Sequence, residues 1–314
     1  MRLHHEALVA AMLAAALAGG CDAVTNGCRD DPDCPGGACV AGQCRPLAGG
    51  DLGSTASDLA TGTPSDLTLV IPDGWSPDAL AASCSFNGDG ILDRSEAPFI
   101  VGLGGLFAVN PSGSTVAVNL TPSGGVWDFT APVSGEGKVF DQLASPGGTW
   151  WAADFPTATH AEKLEDGQPL WGVYRATSDA LQLLGVVSEQ DGLSKTELTY
   201  ATPIDVLRFP LSTSSQWTSE SDVSGFASGA AYFGHDKYSF AVDLRGTTKV
   251  PAAQFDTLRL RINYTQTYGF LVTTRITYLH LAECYGAVAR IRSQDNETSN
   301  DFNQAAEYRR LATQ

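Results

Sequence analysis

The chain is poor in basic side chains. It has 19 Lys and Arg residues against 35 Asp and Glu residues among 314 positions, which gives a formal net charge of -16 at pH 7. A protein that binds a nucleic-acid backbone needs a basic surface. The sequence also lacks a Gly-rich phosphate-binding loop. The composition therefore disfavours a nucleic-acid partner and suits a soluble, acidic body.

Catalytic signatures are missing as well. The sequence contains no Gly-x-Ser-x-Gly elbow and no His-Glu-x-x-His pair. The histidines that follow residue 20 are His160, His235 and His280. Asp154, Glu162 and Glu165 could serve as glycosidase carboxyls, but no signature fixes their separation. We predict a non-enzymatic protein, with a glycan hydrolase as a weaker alternative.

The sequence has no apolar run long enough to favour a transmembrane helix. Ala7–Leu17 is apolar, follows Arg2, and leads through Ala18-Gly19-Gly20 to Cys21. A helix that spans ~30 Å of hydrocarbon needs about 20 apolar residues. A short apolar run between a basic residue and small residues is typical of a secretory signal peptide. The sequence predicts such a peptide over residues 1–20.

The small residues directly before Cys21 resemble the lipobox of bacterial lipoproteins. In that family the cysteine is acylated and becomes the mature N-terminus. Ala18 differs from the Leu that the family prefers, and an ordinary signal peptide that is cleaved near a cysteine is the alternative. The resemblance implies that Cys21 anchors the chain by lipid in the bacterial envelope, at the outer membrane or cell surface. Removal of residues 1–20 takes away Arg2 and Glu6, so the net charge does not change.

Seven cysteines support this interpretation. They are Cys21, Cys28, Cys34, Cys39, Cys44, Cys84 and Cys284. An exported chain meets an oxidising compartment, so one lipidated cysteine and three disulfides would use all seven, and zinc binding is the weaker alternative. Cys84 and Cys284 lie outside the cluster, and we predict that they pair. Their Cα atoms must then lie within ~7 Å of each other.

Residues 21–45 form a predicted mini-module, and residues 46–83 form a predicted linker. The module has too few apolar residues for a core, so disulfides must hold it together. It resembles small cysteine-rich modules of secreted myxobacterial proteins, which implies first-to-third and second-to-fourth pairing among Cys28, Cys34, Cys39 and Cys44. The sequence alone permits three connectivities. The linker is rich in Gly, Ser, Thr, Pro and Asp, and it predicts a disordered tether with a reach of ~30 Å.

A calcium-loop spacing follows Cys84 and opens the predicted body, residues 84–314. Oxygen donors stand at places one, three, five, seven, nine and twelve: Ser85, Asn87, Asp89, the Ile91 carbonyl, Asp93 and Glu96. Gly90 at place six permits the sharp turn, and Leu92 at place eight should point inward. The spacing resembles an EF-hand or dockerin loop and implies bound Ca²⁺. Ser85 and the nearby Pro98 depart from that pattern, and a simple Asn-Gly-Asp-Gly turn is the alternative.

The rest of the body has the period-two pattern of half-buried antiparallel strands. Two apolar faces are predicted, one formed by Tyr238, Phe240, Val242 and Leu244 and the other by Leu258, Leu260, Ile262 and Tyr264. Three later segments are predicted to continue or close the sheet: Tyr268–Leu281, Gly286–Ser293 and Ala305–Leu311. The only short helix candidates are Ala161–Glu165 and Asp179–Leu184.

The segment Thr248–Arg259 and the later Gly286-Ala287-Val288 resemble a hairpin element of exported β-proteins. The resemblance covers residues 206–293 and implies an open, curved sheet. We therefore predict an all-β fold with an antiparallel curved sheet, either a half-barrel or a sandwich. The predicted function is a calcium-stabilised surface or binding module, and a carrier of a lipid or other apolar ligand is the alternative. Trp150, Trp151, Trp171 and Trp217 could instead form a glycan-stacking platform, although core positions are the commoner role of such residues.

The lipid anchor can be tested by substituting Cys21. Cys21→Ser removes the thiol that would be acylated, so the protein should lose its acyl mass and leave the membrane fraction. Intact-mass spectrometry and fractionation measure both. Unchanged membrane partition of the variant would contradict the anchor.

Overall fold

The computed structural model describes residues 37–40, 43–46, 84–164 and 169–313. In the first two ranges, β1 (Gly37–Val40) pairs antiparallel with β2 (Gln43–Pro46). This register places Cys39 opposite Cys44 in the backbone. The predicted signal peptide, Cys21, Cys28, Cys34 and the linker from residue 47 lie outside the described residues. The connectivity within the module therefore stays a prediction.

A single sheet of 14 strands forms the body. In chain order these are β3 (Gly104–Val109), β4 (Val116–Ala117), β5 (Val126–Asp128), β6 (Gly137–Gln142), β7 (His160–Lys163), β8 (Leu170–Ala176), β9 (Ala180–Ser188), β10 (Glu197–Arg208), β11 (Gln216–Ala227), β12 (Ala230–Lys249), β13 (Gln254–Tyr268), β14 (Leu271–Ala282), β15 (Gly286–Ser293) and β16 (Gln304–Leu311). Among the described residues the only helical segment is a 3-10 turn, Arg94–Glu96. The all-β prediction is confirmed.

The sheet is nearly closed and barrel-like. All strands except β4 and β5 follow one path, in the order β6-β3-β16-β15-β14-β13-β12-β11-β10-β9-β8-β7. The two ends of this path meet just beyond β6, where Ala144 and Ala161 exchange backbone hydrogen bonds of 2.8 and 3.0 Å. Of the two predicted architectures, the half-barrel is closer to the observed fold than the sandwich, because one sheet curves back towards itself.

The late strands lie close to their predicted positions. β15 matches the predicted segment, β16 begins one residue earlier, and the predicted strand from Tyr268 is β14, which begins at Leu271. Gly269 has a φ of +57° in the turn between β13 and β14, which a glycine adopts without strain. The sequence therefore places the strand correctly but misses the turn at its start.

Both helix candidates were wrong. Residues 161–163 of the first candidate lie in β7 and residues 180–184 of the second lie in β9, and these strands pair with β8 on its two sides. In β9, Leu181 and Leu183 alternate with Gln182 and join the core. Long-range pairing satisfies the backbone groups of these strands, and it overrides the local helical pattern.

The inner face of the sheet carries the first core cluster. Phe240 and Val242 on β12 lie opposite Ile262 and Leu260 on β13, as the alternation predicts. Leu244 is an exception, because a register shift after Val242 leaves its side chain 38% exposed. Such an irregularity re-aims the residues that follow it.

The outer face is covered in two places by chain segments, the first of which includes β5. Residues 118–133 pack over β12–β16, and residues 150–158 pack over β7–β9. Arg259, which the alternation places on a solvent face, is therefore buried. Its Nη1 donates to the Leu120 carbonyl at 2.6 Å, and its Nε forms an ion pair with Asp243 at 2.8 Å.

Cys84 and Cys284 form the predicted disulfide. Their Cα atoms lie 5.7 Å apart, and the bond links positions 200 residues apart in the sequence. Directly beside it, the Cys284 N–H donates to the Glu96 carbonyl at 2.7 Å. The 84–96 loop is thereby fixed to the turn between β14 and β15.

Loss of this bond should destabilise the body. In the double variant Cys84→Ser/Cys284→Ser the free energy of unfolding should fall by up to about 5 kcal/mol, because the cross-link restricts a long loop of the unfolded chain. Denaturant titration measures the change, and Cys21→Ser serves as a control that keeps the bond. Equal midpoints for the double variant and the control would contradict a stabilising role.

Candidate functional site

The 84–96 loop has a defined geometry at one end of the body. The Asn87 Oδ1 accepts the Asp89 N–H at 2.8 Å, and the Asp89 Oδ1 accepts the Ile91 N–H at 2.8 Å. Gly90 has a φ of +82°, and the Arg245 guanidinium lies against it where a Cβ would stand. The turn therefore requires glycine at place six for both conformation and space.

Two contacts fix the loop on the body. Leu92, at place eight, is buried and exchanges backbone hydrogen bonds of 2.8 and 2.9 Å with Leu211. The Glu283 carboxylate accepts the N–H groups of Asn87 and Gly88 at 3.1 and 2.8 Å. The inward direction that the spacing predicts for Leu92 is confirmed.

Glu96, at place twelve, is buried, and its Oε2 accepts the Asp93 N–H at 2.8 Å. Burial raises the pKa of Glu96, and the charges of Glu283, Asp93 and Asp89 raise it further, while the Asp93 N–H lowers it. In the described residues no three His, Cys, Asp or Glu side chains already surround one point. Ca²⁺ in this loop would be held by Asn87, Asp89, Asp93 and Glu96 with the Ile91 carbonyl, and Ser85 is exposed beside them.

A second polar site lies inside the sheet, towards the hairpins that join β11 to β12 and β13 to β14. Tyr232 and Tyr268 stack with ring centres 5.0 Å apart, and Tyr238 and Tyr264 lie 4.7 Å apart. The Tyr232 hydroxyl occupies the space where a Cβ on Gly234 would stand. Tyr268 is exposed and the other three rings are half-buried, so this cluster extends from the interior to the surface.

Asp236 lies among these rings. It is 3% exposed, and its Oδ2 accepts the Tyr200 hydroxyl at 2.8 Å. The Oδ1 is buried and makes no hydrogen bond to the described residues. Burial raises the pKa of Asp236, whereas the Tyr200 and Tyr264 hydroxyls and the charges of His235 and Arg275 lower it. The site thus combines a buried carboxylate with aromatic faces.

Deeper in the interior, arginines pair with carboxylates. Glu307 contacts Arg290 at 2.5 Å and Arg292 at 3.2 Å, and Arg309 contacts Asp141 at 2.6 Å. Burial would raise the pKa of Glu307, but the two arginines dominate and lower it. Each of these carboxylates is paired with at least one arginine, which suits a structural role.

Tyr174 connects the two polar regions. Burial is the main cause that raises the pKa of Tyr174. The charge of Glu162 and the nearby Tyr238 raise this pKa further, while the charge of Arg290 lowers it. Burial and Asp141 likewise raise the pKa of Glu162. Side chains from distant strands are therefore within electrostatic reach across the interior.

Histidines do not form a catalytic pair in the described residues. His160 is buried between Phe99 and Tyr174, and burial lowers its pKa to about 4. His280 is buried with its Nδ1 2.8 Å from the Thr248 hydroxyl, and burial lowers its pKa to about 3. Both are therefore neutral core residues at pH 7.

The four tryptophans do not form one exposed platform. Trp151 and Trp217 are buried, and Trp150 and Trp171 pack on the cluster over β7–β9. Core packing therefore describes these residues better than a surface for sugars.

Sequence reasoning missed the interior site. Asp236 was not singled out, and Tyr238 and Tyr264 were predicted only as members of apolar faces. The available signal was the inward pattern Tyr232, Gly234, Asp236 and Tyr238, which places a glycine and a carboxylate between aromatic residues.

Comparison with family models, with curated proteins and with solved structures gave no match. In the part of the chain that the structure describes, no helix is long and apolar enough to cross a membrane. Function must therefore be inferred from the geometry of the two sites.

The loop predicts a calcium-dependent stability. Ca²⁺ should raise the melting temperature relative to chelator, because a ligand that binds only the folded state stabilises it. The shift should be larger at pH 7 than at pH 5, since the raised pKa of Glu96 means that acid protonates this donor. Differential scanning calorimetry measures both, and Glu96→Gln should abolish the shift while Glu220→Gln, on exposed β11, should keep it. Equal melting temperatures of the wild type in calcium and in chelator would show a simple turn.

Proposed function

We propose that this protein is a lipid-anchored binding protein of the bacterial envelope whose body carries a small amphipathic ligand with an ammonium group. The observation that carries the proposal is the buried Asp236 carboxylate among the rings of Tyr232, Tyr238, Tyr264 and Tyr268. Cys21 supplies the anchor, and the 84–96 loop with Ca²⁺ stiffens the opposite end of the sheet. The protein acts by binding, without a catalytic step.

The chemistry of the interior favours a cation. Aromatic faces attract alkylammonium groups, and a carboxylate supplies the opposite charge. An anionic ligand would be repelled by Asp236, and a buried carboxylate oxygen without a hydrogen bond is costly until a partner satisfies it. An ammonium group at the Oδ1 would meet both requirements.

The same geometry favours an amphipathic ligand over the purely apolar one that the sequence suggests for a carrier. The inner apolar region is filled by its own side chains, including Ile204, Leu211 and Leu260, each fully buried. The accessible part of the interior is the tyrosine-lined end. A ligand would place its ammonium group there and extend its remaining part towards the hairpins.

Choline provides a direct probe of the charge pair and the aromatic attraction; its quaternary nitrogen carries no N–H, so its hydroxyl is its one hydrogen-bond donor. It should bind the wild type more tightly than its uncharged analogue, in which carbon replaces the ammonium nitrogen, because the analogue loses the cation–aromatic attraction and the charge pair. A difference of about 2 kcal/mol, roughly 30-fold, is expected for a desolvated site. Isothermal titration calorimetry measures both affinities.

Variants separate the roles of charge and ring. Asp236→Asn should remove the preference for choline, and Asp222→Asn is the matched control because Asp222 is exposed beside His235 at 2.8 Å. Tyr264→Leu should weaken binding while Tyr264→Phe, which keeps the ring, should retain most of it; this pair stays informative if Asp236→Asn does not fold. Equal binding of choline and its analogue by the wild type would overturn the proposed ligand class.

A further inference from the structure

Three hairpins carry large apolar side chains that are exposed. Phe270 and Leu193 have relative exposures of 106% and 102%, so they contact almost nothing in the body. We call the whole set the hydrophobic hairpin ends: Leu193, Phe226, Phe233, Phe270, Leu271 and Val272. Side chains of this kind rarely protrude together from a soluble surface unless they contact another molecule.

These side chains lie at one end of the body. Leu193 and Phe270 lie in connections between strands, and the other four lie in β11, β12 and β14 within four residues of a connection. The connections are those between β9 and β10, β11 and β12, and β13 and β14, and these strands are consecutive neighbours in the sheet. In an antiparallel sheet, alternate hairpins lie at the same end. The Gly229 N–H donates to the Lys195 carbonyl at 2.8 Å, which joins two of the three connections directly.

The charge around the hairpin ends is unusual for this acidic chain. Residues 226–233 and 268–272 contain no charged side chain. The connection that carries Leu193 contains Glu189, Asp191 and Lys195, and Lys195 forms ion pairs with Asp191 and Glu197. The connection between β15 and β16, which reaches the same end, contains Asp295, Glu297 and Asp301 and no basic residue. A surface that recognises anionic lipid would carry Lys and Arg, so the local charge favours uncharged or zwitterionic lipid instead.

We propose that the hydrophobic hairpin ends insert into the interface of a zwitterionic lipid bilayer. They are single side chains that project from separate turns, with small residues such as Gly229 and Gly269 between them. A protein partner would need a complementary pocket for each of these side chains. A fluid lipid bilayer can accommodate them without a complementary shape. Aromatic and aliphatic side chains at the headgroup level bind membranes in this way.

The predicted anchor makes this contact geometrically accessible. The predicted disordered tether over residues 46–83 would have an average reach of ~30 Å and a fully stretched length beyond 100 Å. The twelve residues of β14 measure roughly 40 Å as an extended strand. A tether of that length would allow the hairpin ends to reach a membrane anchored at Cys21. The bilayer contact does not depend on the proposed interior ligand.

Vesicle flotation of an unacylated chain tests the proposal. The protein from residue 21 onward, with Cys21→Ser, should float with phosphatidylcholine vesicles, and high salt should not release it. Phe270→Ser/Leu271→Ser should lower the partition coefficient at least tenfold. Phe86→Ser is the matched control, because Phe86 is 68% exposed on the 84–96 loop and should leave partition unchanged.

Three results would overturn the bilayer contact. The unacylated wild type could fail to float, Phe86→Ser could reduce partition as much as the hairpin variant, or binding could require anionic lipid and vanish in salt. Sedimentation of the same proteins without lipid measures whether the chain forms a dimer, and so tests a second copy of the chain as the partner of this surface. A dimer that only Phe270→Ser/Leu271→Ser dissociates, without vesicle binding, would assign the hairpin ends to a second copy of the chain. Choline binding by the flotation-defective variant would keep the interior site separate from this test.

Discussion

Closure of the sheet is the constraint on which the remaining structure depends. The backbone exchange between Ala144 and Ala161 brings the two ends of a long antiparallel path together. One face of every strand must then fill a shared interior, and the other must meet solvent or a covering segment. Leu260 and Phe240 satisfy the first demand, and Trp127 and Trp151 belong to segments that satisfy the second. Clusters on both faces of the sheet follow from this single curvature.

Local pattern predicted much of the fold. The alternation through Phe240 and Leu260 identified the inner face because period two is a property of each strand alone. The Cys84–Cys284 pair followed from counting the cysteines of a chain predicted to be exported. Arg259 could not be placed correctly, because its burial depends on residues 118–133, which are distant in the sequence. The exposure of Leu244 depends on a register irregularity that no periodic pattern indicates.

The calcium-loop geometry was partly predictable, whereas the interior site was not. Gly90 and Leu92 follow from fixed offsets within one short segment, so their conformation is encoded locally. Asp236, Tyr200 and Tyr264 come from three strands, and only their pairing brings them together. A polar group in such an interior is costly without partners, and this cost makes the unsatisfied oxygen of Asp236 informative.

The position of β16 has a consequence for the order of folding. β16 lies between β15 and β3. Arg309 on β16 pairs with Val109 on β3, so two parts of the chain about 200 residues apart form one ladder. β3 and β6 therefore gain their place in the path only after the last strand has been synthesised. A chain with such distant pairing folds slowly, because loop closure precedes the contacts that reward it. The sheet is therefore completed only when its C-terminal strand is in place, and the chain that precedes this strand cannot close the sheet alone.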